Sequence, residues 1–350
     1  MRPEQPDGIA EALELKRERH FGLRLAFAVS AGFTAAIAIG SVLPFLAPML
    51  ALQFLVTSRR PLPLAAGIVM AAVVFVTGGA LTLLVGLFND RPVVLLLLIG
   101  LLFFFCFTAQ ALGKALPIVG LVLTISTVTI VLGMANIDLG QATSAVLLGS
   151  LAAGLLIAWA AHALFPEPAA SGPGDAGSLG PAPAHPLQRA ASNTLILLGS
   201  VLICFINPAF TTAIVVPLTV VSLINQADIA HDQKAIWGLL VVNVIGGLLA
   251  SFAYTLLSMR ESLVFMFLIL LTMGLFLGGR AADPARGKVF AGSLGIFLVV
   301  FGLGVSPIPT TAPESFQTRM VMVLFAILYA IIGIGLLWRT EPHPRTETSP

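Results

Sequence analysis

The sequence predicts an all-α polytopic membrane protein of about twelve transmembrane helices, built as two parallel six-helix repeats. Three observations carry this. The 350 residues are 58% hydrophobic and only 10% charged, whereas a soluble domain carries about 25% charge, so the apolar surface exceeds any polar cover a soluble fold could provide. The apolar residues fall into runs of mostly 18–25 residues, the length needed to cross a hydrocarbon core of about 30 Å, where backbone hydrogen bonding enforces helices. The third is internal repetition. Pro48 and Pro217 lie 169 residues apart, and the same offset relates Arg91 to Arg260, Phe107 to Phe276 and Gly133 to Gly302.

In order, residues 1–20 are polar and charged and predict a cytoplasmic segment rather than a cleavable signal. Residues 11–24 read as a short juxtamembrane helix with its basic side chains at headgroup level, leading into a first span at 21–42. A short, apolar, proline-bearing segment at 44–57 follows, then spans at 64–88, 92–112, 117–134 and 141–165, which complete a first repeat over 21–165. Residues 166–186 are rich in Pro, Gly, Ala and Ser and have no apolar face, so they predict a flexible cytoplasmic linker. The second repeat, 187–338, has spans at 188–206, 208–224, 234–258, 261–279, 287–305 and 319–338, and a cytoplasmic tail covers 339–350.

Twelve spans place both termini on one side. With that side cytoplasmic, fifteen of the eighteen Lys and Arg residues fall inside and only Arg91, Arg260 and Arg319 outside, the sense of the positive-inside rule. Trp159, Trp237 and Trp338 then fall near cytoplasmic ends, where indole rings are expected. Six spans per repeat give the two copies one orientation, so their symmetry axis runs along the membrane normal and a solute path would lie between them.

The opening of the first span, Phe21-Gly-Leu-Arg24-Leu-Ala-Phe-Ala28, is echoed by Leu187-Gln-Arg-Ala-Ala191, and the second segment opens Leu43-Pro-Phe-Leu-Ala-Pro48. With two six-span units, this pattern resembles the fusaric acid resistance and aromatic acid exporter family, and also the plant malate channels. The resemblance covers nearly the whole chain. It implies export of small aromatic or other organic anions across the bacterial inner membrane, with a periplasmic adaptor of the membrane-fusion type as partner. Longer members hold a soluble domain between the halves; here there is only the linker.

The candidate path residues follow from chemistry that lipid makes costly. Arg91 and Arg260 are repeat-equivalent and stand on the outer side; a guanidinium fork stays charged and binds a carboxylate bidentately. The alternative is a solvated loop charge paired with Asp90 or Glu261. Pro48 and Pro217 predict broken helices whose freed amides face a path and whose positive half-helix ends attract an anion, or else a structural kink. Gln53, Gln110 and Asn243 lie in or near the ends of spans, where an unpaired amide is costly; they line the path or bond neighbouring helices. Ser126, Thr127 and Thr129 are expected to bond their own helix carbonyls. Phe103, Phe104, Phe105 and Phe107, partly echoed by Phe265, Phe267 and Phe276, are expected to pack or face lipid rather than stack an aromatic solute.

No carboxylate lies clearly mid-span, so no proton carrier can be named and a passive channel stays open beside a coupled exporter. A membrane scaffold that only holds the adaptor is the third reading. No phosphate-binding glycine loop, nucleophile elbow or metal-ligand spacing among the five histidines is present, so the sequence predicts neither an enzyme nor a cofactor. Cys106 and Cys204 lie in apolar runs and read as small buried hydrophobes. Nothing points to nucleic acid. The partners expected are the bilayer, the anion and the adaptor, with oligomeric state, a homo-oligomer included, left open.

Overall fold

The computed structural model of the chain describes residues 7–58, 60–88, 90–113, 116–135, 137–167, 185–206, 215–228, 233–283, 287–306 and 316–338. Among these lie twelve α-helices and no strand: α1 (Asp7–Ala38), α2 (Leu46–Thr57), α3 (Leu64–Phe88), α4 (Pro92–Ala111), α5 (Leu116–Ala135), α6 (Ile137–Leu164), α7 (Pro186–Ile206), α8 (Val215–Asp228), α9 (Gln233–Met259), α10 (Leu263–Arg280), α11 (Gly287–Val305) and α12 (Phe316–Leu337). Seven stretches are long and apolar enough to cross a bilayer: Leu15–Ala38, Leu64–Phe88, Pro92–Ala111, Ala145–Leu164, Pro186–Ile206, Val241–Met259 and Leu263–Arg280. Shorter apolar helical stretches lie in α2, α5, α8, α11 and α12. The chain is a multi-pass, all-helical membrane protein.

The expected juxtamembrane helix over 11–24 is helical but runs on into the first span. α1 is one helix of 32 residues, about 48 Å at 1.5 Å per residue, because nothing between Asp7 and Ala38 breaks it. It stops at Ala38, short of the expected 42, because Gly40 adopts φ +78°. The Gly40 amide then donates to the Ile37 carbonyl and the Ser41 amide to the Ala36 carbonyl, each at 2.9 Å. This paired closure needs a left-handed residue, which glycine supplies without steric cost.

α2 has only 12 residues, about 18 Å, too short to span alone. It survives by burial: eight of its residues are buried. A β-carbon on Gly32 of α1 would lie 3.3 Å from Pro48, and one on Gly154 of α6 2.9 Å from the Ala47 carbonyl, so α2 sits against two helices stripped of side chains where it meets them. Around the centre, α2, α5, α8 and α11 are the most enclosed helices, with Val216–Val221 of α8 and Ile296–Val300 of α11 all buried.

The most extensive packing joins α1 to α10, α4 to α7, α3 to α5, α9 to α11, α2 to α6 and α8 to α12, while α2 also meets α11 and α5 meets α8. Outward faces carry exposed side chains such as Phe75, Leu83 and Leu87 on α3, Leu97 on α4, Leu248 on α9 and Leu336 on α12. Apolar surface of this extent is what contact with lipid acyl chains requires.

Candidate functional site

The first turn of α2 decides how Pro48 acts. Pro48 is the third residue of α2, Pro217 lies within α8 three residues into its described part, and both are buried. The first four N–H groups of a helix have no intrahelical acceptor, so a proline there removes nothing the helix uses. The expectation of a proline-broken helix is therefore corrected for Pro48, which opens its helix; whether Pro217 does the same turns on residues 207–214, which lie outside the described residues. The amino end of α2 is also enclosed, with Leu43, Phe45, Leu46 and Ala47 all buried, so it does not present a bare positive end to an open path.

Of the three amides, Gln110 bridges distant parts of the chain. It is buried at the carboxyl end of α4, and its Nε2 donates to Asn225 Oδ1 of α8 at 3.3 Å. Asn225 in turn reaches Gly120 of α5, where a β-carbon would lie 3.8 Å from Nδ2. The Gln110 Oε1 atom is buried without a hydrogen-bond partner among the described residues. Asn243 is buried on α9, one turn before Gly246, which lies against the Ser293 carbonyl and Ile296 of α11. Gln53 is exposed on α2.

Hydroxyl groups fill the enclosed centre. Thr127 Oγ1 donates to the Leu123 carbonyl at 2.8 Å, the intrahelical bond expected. Ser126 and Thr129 do not follow it: their oxygens, with those of Thr219 on α8 and Ser293 on α11, are buried and lack a hydrogen-bond partner among the described residues. A buried polar group without a partner destabilises the fold, so four on three central helices are a feature that packing alone does not explain.

Arg91 and Arg260 occupy equivalent exposed turns, before α4 and before α10. Neither forms an ion pair among the described residues, with Asp90, Glu261 or any other acid. Their helices pack on α7 and α1 respectively, not on each other. The phenylalanines divide as packing and lipid-facing groups do: Phe103 and Phe107 are fully buried, whereas Phe105 is 62% exposed. Phe276 lies under the Arg280 guanidinium at 4.3 Å.

Sequence reasoning missed a charged clasp. Arg24 is 2% exposed inside α1. Its Nη1 donates to Glu167 Oε2 at 3.0 Å and its Nε to the Phe165 carbonyl at 2.7 Å, while Arg17 Nε holds Glu167 Oε1 at 3.1 Å. His20 Nδ1 lies 2.8 Å from the Pro166 carbonyl, and Phe165 meets Phe27 edge-on at 6.4 Å. So the start of the expected flexible linker, 166–167, is strapped to α1; residues 168–184 lie outside the described residues. The signal was there: a charge inside an apolar run needs a partner, but the partner is 143 residues away. A counterpart sits at the start of α7. Asn193, 169 residues after Arg24, accepts a 2.9 Å hydrogen bond from Trp338 Nε1, and Arg189 lies 3.5 Å above the Trp338 ring. Trp159 Nε1 likewise donates to the Leu62 carbonyl at 2.9 Å; the side chain of Trp237 lies outside the described residues.

No curated protein and no solved structure matches the chain. Residues 22–164, from within α1 to the last residue of α6, match the model of a family described as protein of unknown function, DUF2955.

Proposed function

We propose that the chain is a bacterial inner-membrane exporter of small organic, aromatic anions, with both termini cytoplasmic and the path between two parallel six-helix repeats. The observation that carries it is the set of unpartnered buried oxygens on α5, α8 and α11, together with the Gln110–Asn225 pair. A polar seam among otherwise apolar central helices is what a solute path needs, and midplane sites between repeats are the common transporter design. The packing supports the repeat: moving every helix number on by six turns α1–α6, α3–α5, α2–α6 and α1–α2 contacts into α7–α12, α9–α11, α8–α12 and α7–α8 contacts. Between the halves, α1–α10 corresponds to α4–α7 and α2–α11 to α5–α8. That the family match ends with α6 supports taking one repeat as the unit. The nature of the anion and the periplasmic adaptor rest on the likeness to the aromatic acid exporters.

The test is efflux from proteoliposomes loaded with labelled hydroxybenzoate, under an imposed pH gradient, an imposed potential, or neither. Flux that follows the pH gradient supports a coupled exporter. Flux that follows potential alone supports a channel, a reading favoured by the end positions of Asp90, Glu167, Glu261 and Asp283. An inside-negative potential drives an anion outward with about 2.3 kcal/mol per charge per 100 mV, enough for passive export. Arg91→Ala with Arg260→Ala is expected to lower flux in either case; unchanged flux removes the two arginines from the path.

A sharper variant set tests the polar seam. Ser126→Ala and Thr219→Val delete unpartnered oxygens, so each is expected to leave stability unchanged or raise it by about 1 kcal/mol. If these groups line the path, the same variants slow anion flux. Loss of stability with unchanged flux would show that the hydroxyls serve packing alone.

A further inference from the structure

The α2–α11 contact is tighter at one end than at the other. The two helices run antiparallel: Phe45 at the start of α2 lies over Gly302 near the end of α11, and Leu52 further along α2 lies over Gly295. At the Phe45 end, a β-carbon on Gly302 would overlap the Phe45 side chain. Phe33 of α1 meets Phe301 at a centroid distance of 5.5 Å, and Phe301 stacks on Phe297 at 5.6 Å with an interplanar angle of 11°. All four rings are fully or almost fully buried, and Ser306 Oγ donates to the Val42 carbonyl at the rim. At the other end the fit is ordinary contact: buried Leu52 would lie 3.8 Å from a β-carbon on Gly295, Gly295 and Gly292 are half-buried, and Gln53 and Val56 are exposed.

We propose that this aromatic knot is a gate, closed in the present structure, that seals the membrane face opposite the N terminus while the seam stays open toward the N-terminal face. The proposal rests on reading the chain as a conduit between its two halves. Three features suit a contact that parts and re-forms. Phe33, Phe297 and Phe301 meet ring against ring, an apolar contact whose separation strands no polar group of its own. The seat for Phe45 is bare backbone. The Ser306 hydrogen bond to Val42 lies at the edge. The knot is also one-sided. The 169-residue offset takes Phe33, Phe45, Phe297 and Phe301 to Leu202, Ile214, Val128 and Leu132, so the repeat-equivalent positions are all aliphatic. Two seams of unequal chemistry let one open while the other holds.

The test needs no substrate. Gly295→Cys is placed in a chain with Cys106→Ala and Cys204→Ala, and a membrane-impermeant maleimide is applied from each face separately. Gly295→Cys is expected to label from the N-terminal face and to be protected from the opposite face. Adding Phe45→Ala is expected to raise opposite-face labelling by about tenfold. Oxidised Phe45→Cys/Gly302→Cys is expected to keep it protected until a reductant is added. Phe301→Leu, close in volume, serves if Phe45→Ala fails to fold, and near-face labelling reports the fold. Opposite-face labelling that is already fast, or that neither variant changes in a folded chain, overturns the gate. Labelling as expected with no anion flux keeps the gate and removes the anion reading, and flux with no labelling change does the reverse.

Discussion

Replacing Glu167 with alanine is expected to lower the stability of the folded chain by about 3 kcal/mol, far more than a surface charge change would. The reason is Arg24. Its guanidinium is 2% exposed and has Glu167 as its acidic partner, with the Phe165 carbonyl as a second acceptor. Removing the carboxylate takes its anionic partner from a buried cation, and the loss of one member of a buried pair costs about 3–5 kcal/mol. Glu167 keeps 21% of its side-chain surface, so the low end applies. Arg17→Ala is the control: that side chain is 34% exposed, and its removal is expected to cost less than about 1 kcal/mol. Arg24→Leu combined with Glu167→Ala is expected to recover most of the loss, since an apolar residue can replace a buried ion pair without penalty. Loss of monodisperse protein on heating, followed by gel filtration in detergent, ranks the variants. Equal midpoints for Glu167→Ala and Arg17→Ala would refute the clasp.

That clasp marks where sequence reading stops. Helix positions were legible because each needs an apolar run of fixed length: α3 and α11 begin and end where the residues indicated. Helix ends were less so. α1 continues back through Glu11–Arg24 because polarity marks the membrane surface, not the end of a helix. Pro48 misled for a related reason. A proline inside an apolar run breaks a helix only if the helix has begun well before it, and α2 begins two residues before Pro48. Pairings were the least legible. Gln110 could be singled out as a costly amide, but Asn225, 115 residues later, becomes its partner only once α4 and α8 are packed. Phe33, Phe45, Phe297 and Phe301 are scattered singly, and no local pattern announces that they share one knot. The four visible phenylalanines at 103–107 drew notice by adjacency, yet adjacency on a helix points side chains in different directions.

Gly274→Leu is expected to destabilise the chain by about 3 kcal/mol or more, the upper part of the range for overpacking. Between lipid-embedded helices, association depends on close van der Waals contact because lipid supplies no hydrophobic drive. The α1–α10 seam achieves this with backbone against backbone. A β-carbon on Gly274 would lie 2.8 Å from Ala26 Cα, one on Gly22 2.9 Å from Gly279 Cα, and one on Gly278 3.1 Å from the Gly22 carbonyl. Backbone atoms cannot rotate away, so any side chain at Gly274 must push α10 off α1. Two comparisons isolate this cause from the general effect of replacing glycine. Gly247 has no atom within 4 Å of a β-carbon, so Gly247→Ala is expected to be neutral or to stabilise by up to about 1 kcal/mol through helix propensity. Gly100, in the α4–α7 seam, would place its β-carbon 3.1 Å from the tip of the Leu198 side chain, which can turn aside, so Gly100→Ala is expected to cost less than about 1 kcal/mol. A heating series that ranks Gly274→Leu well below both would confirm that the first six helices are held to the last six by a rigid glycine contact on one side and an adjustable one on the other. Equal losses at Gly274 and Gly100 would instead make the two seams mechanically alike.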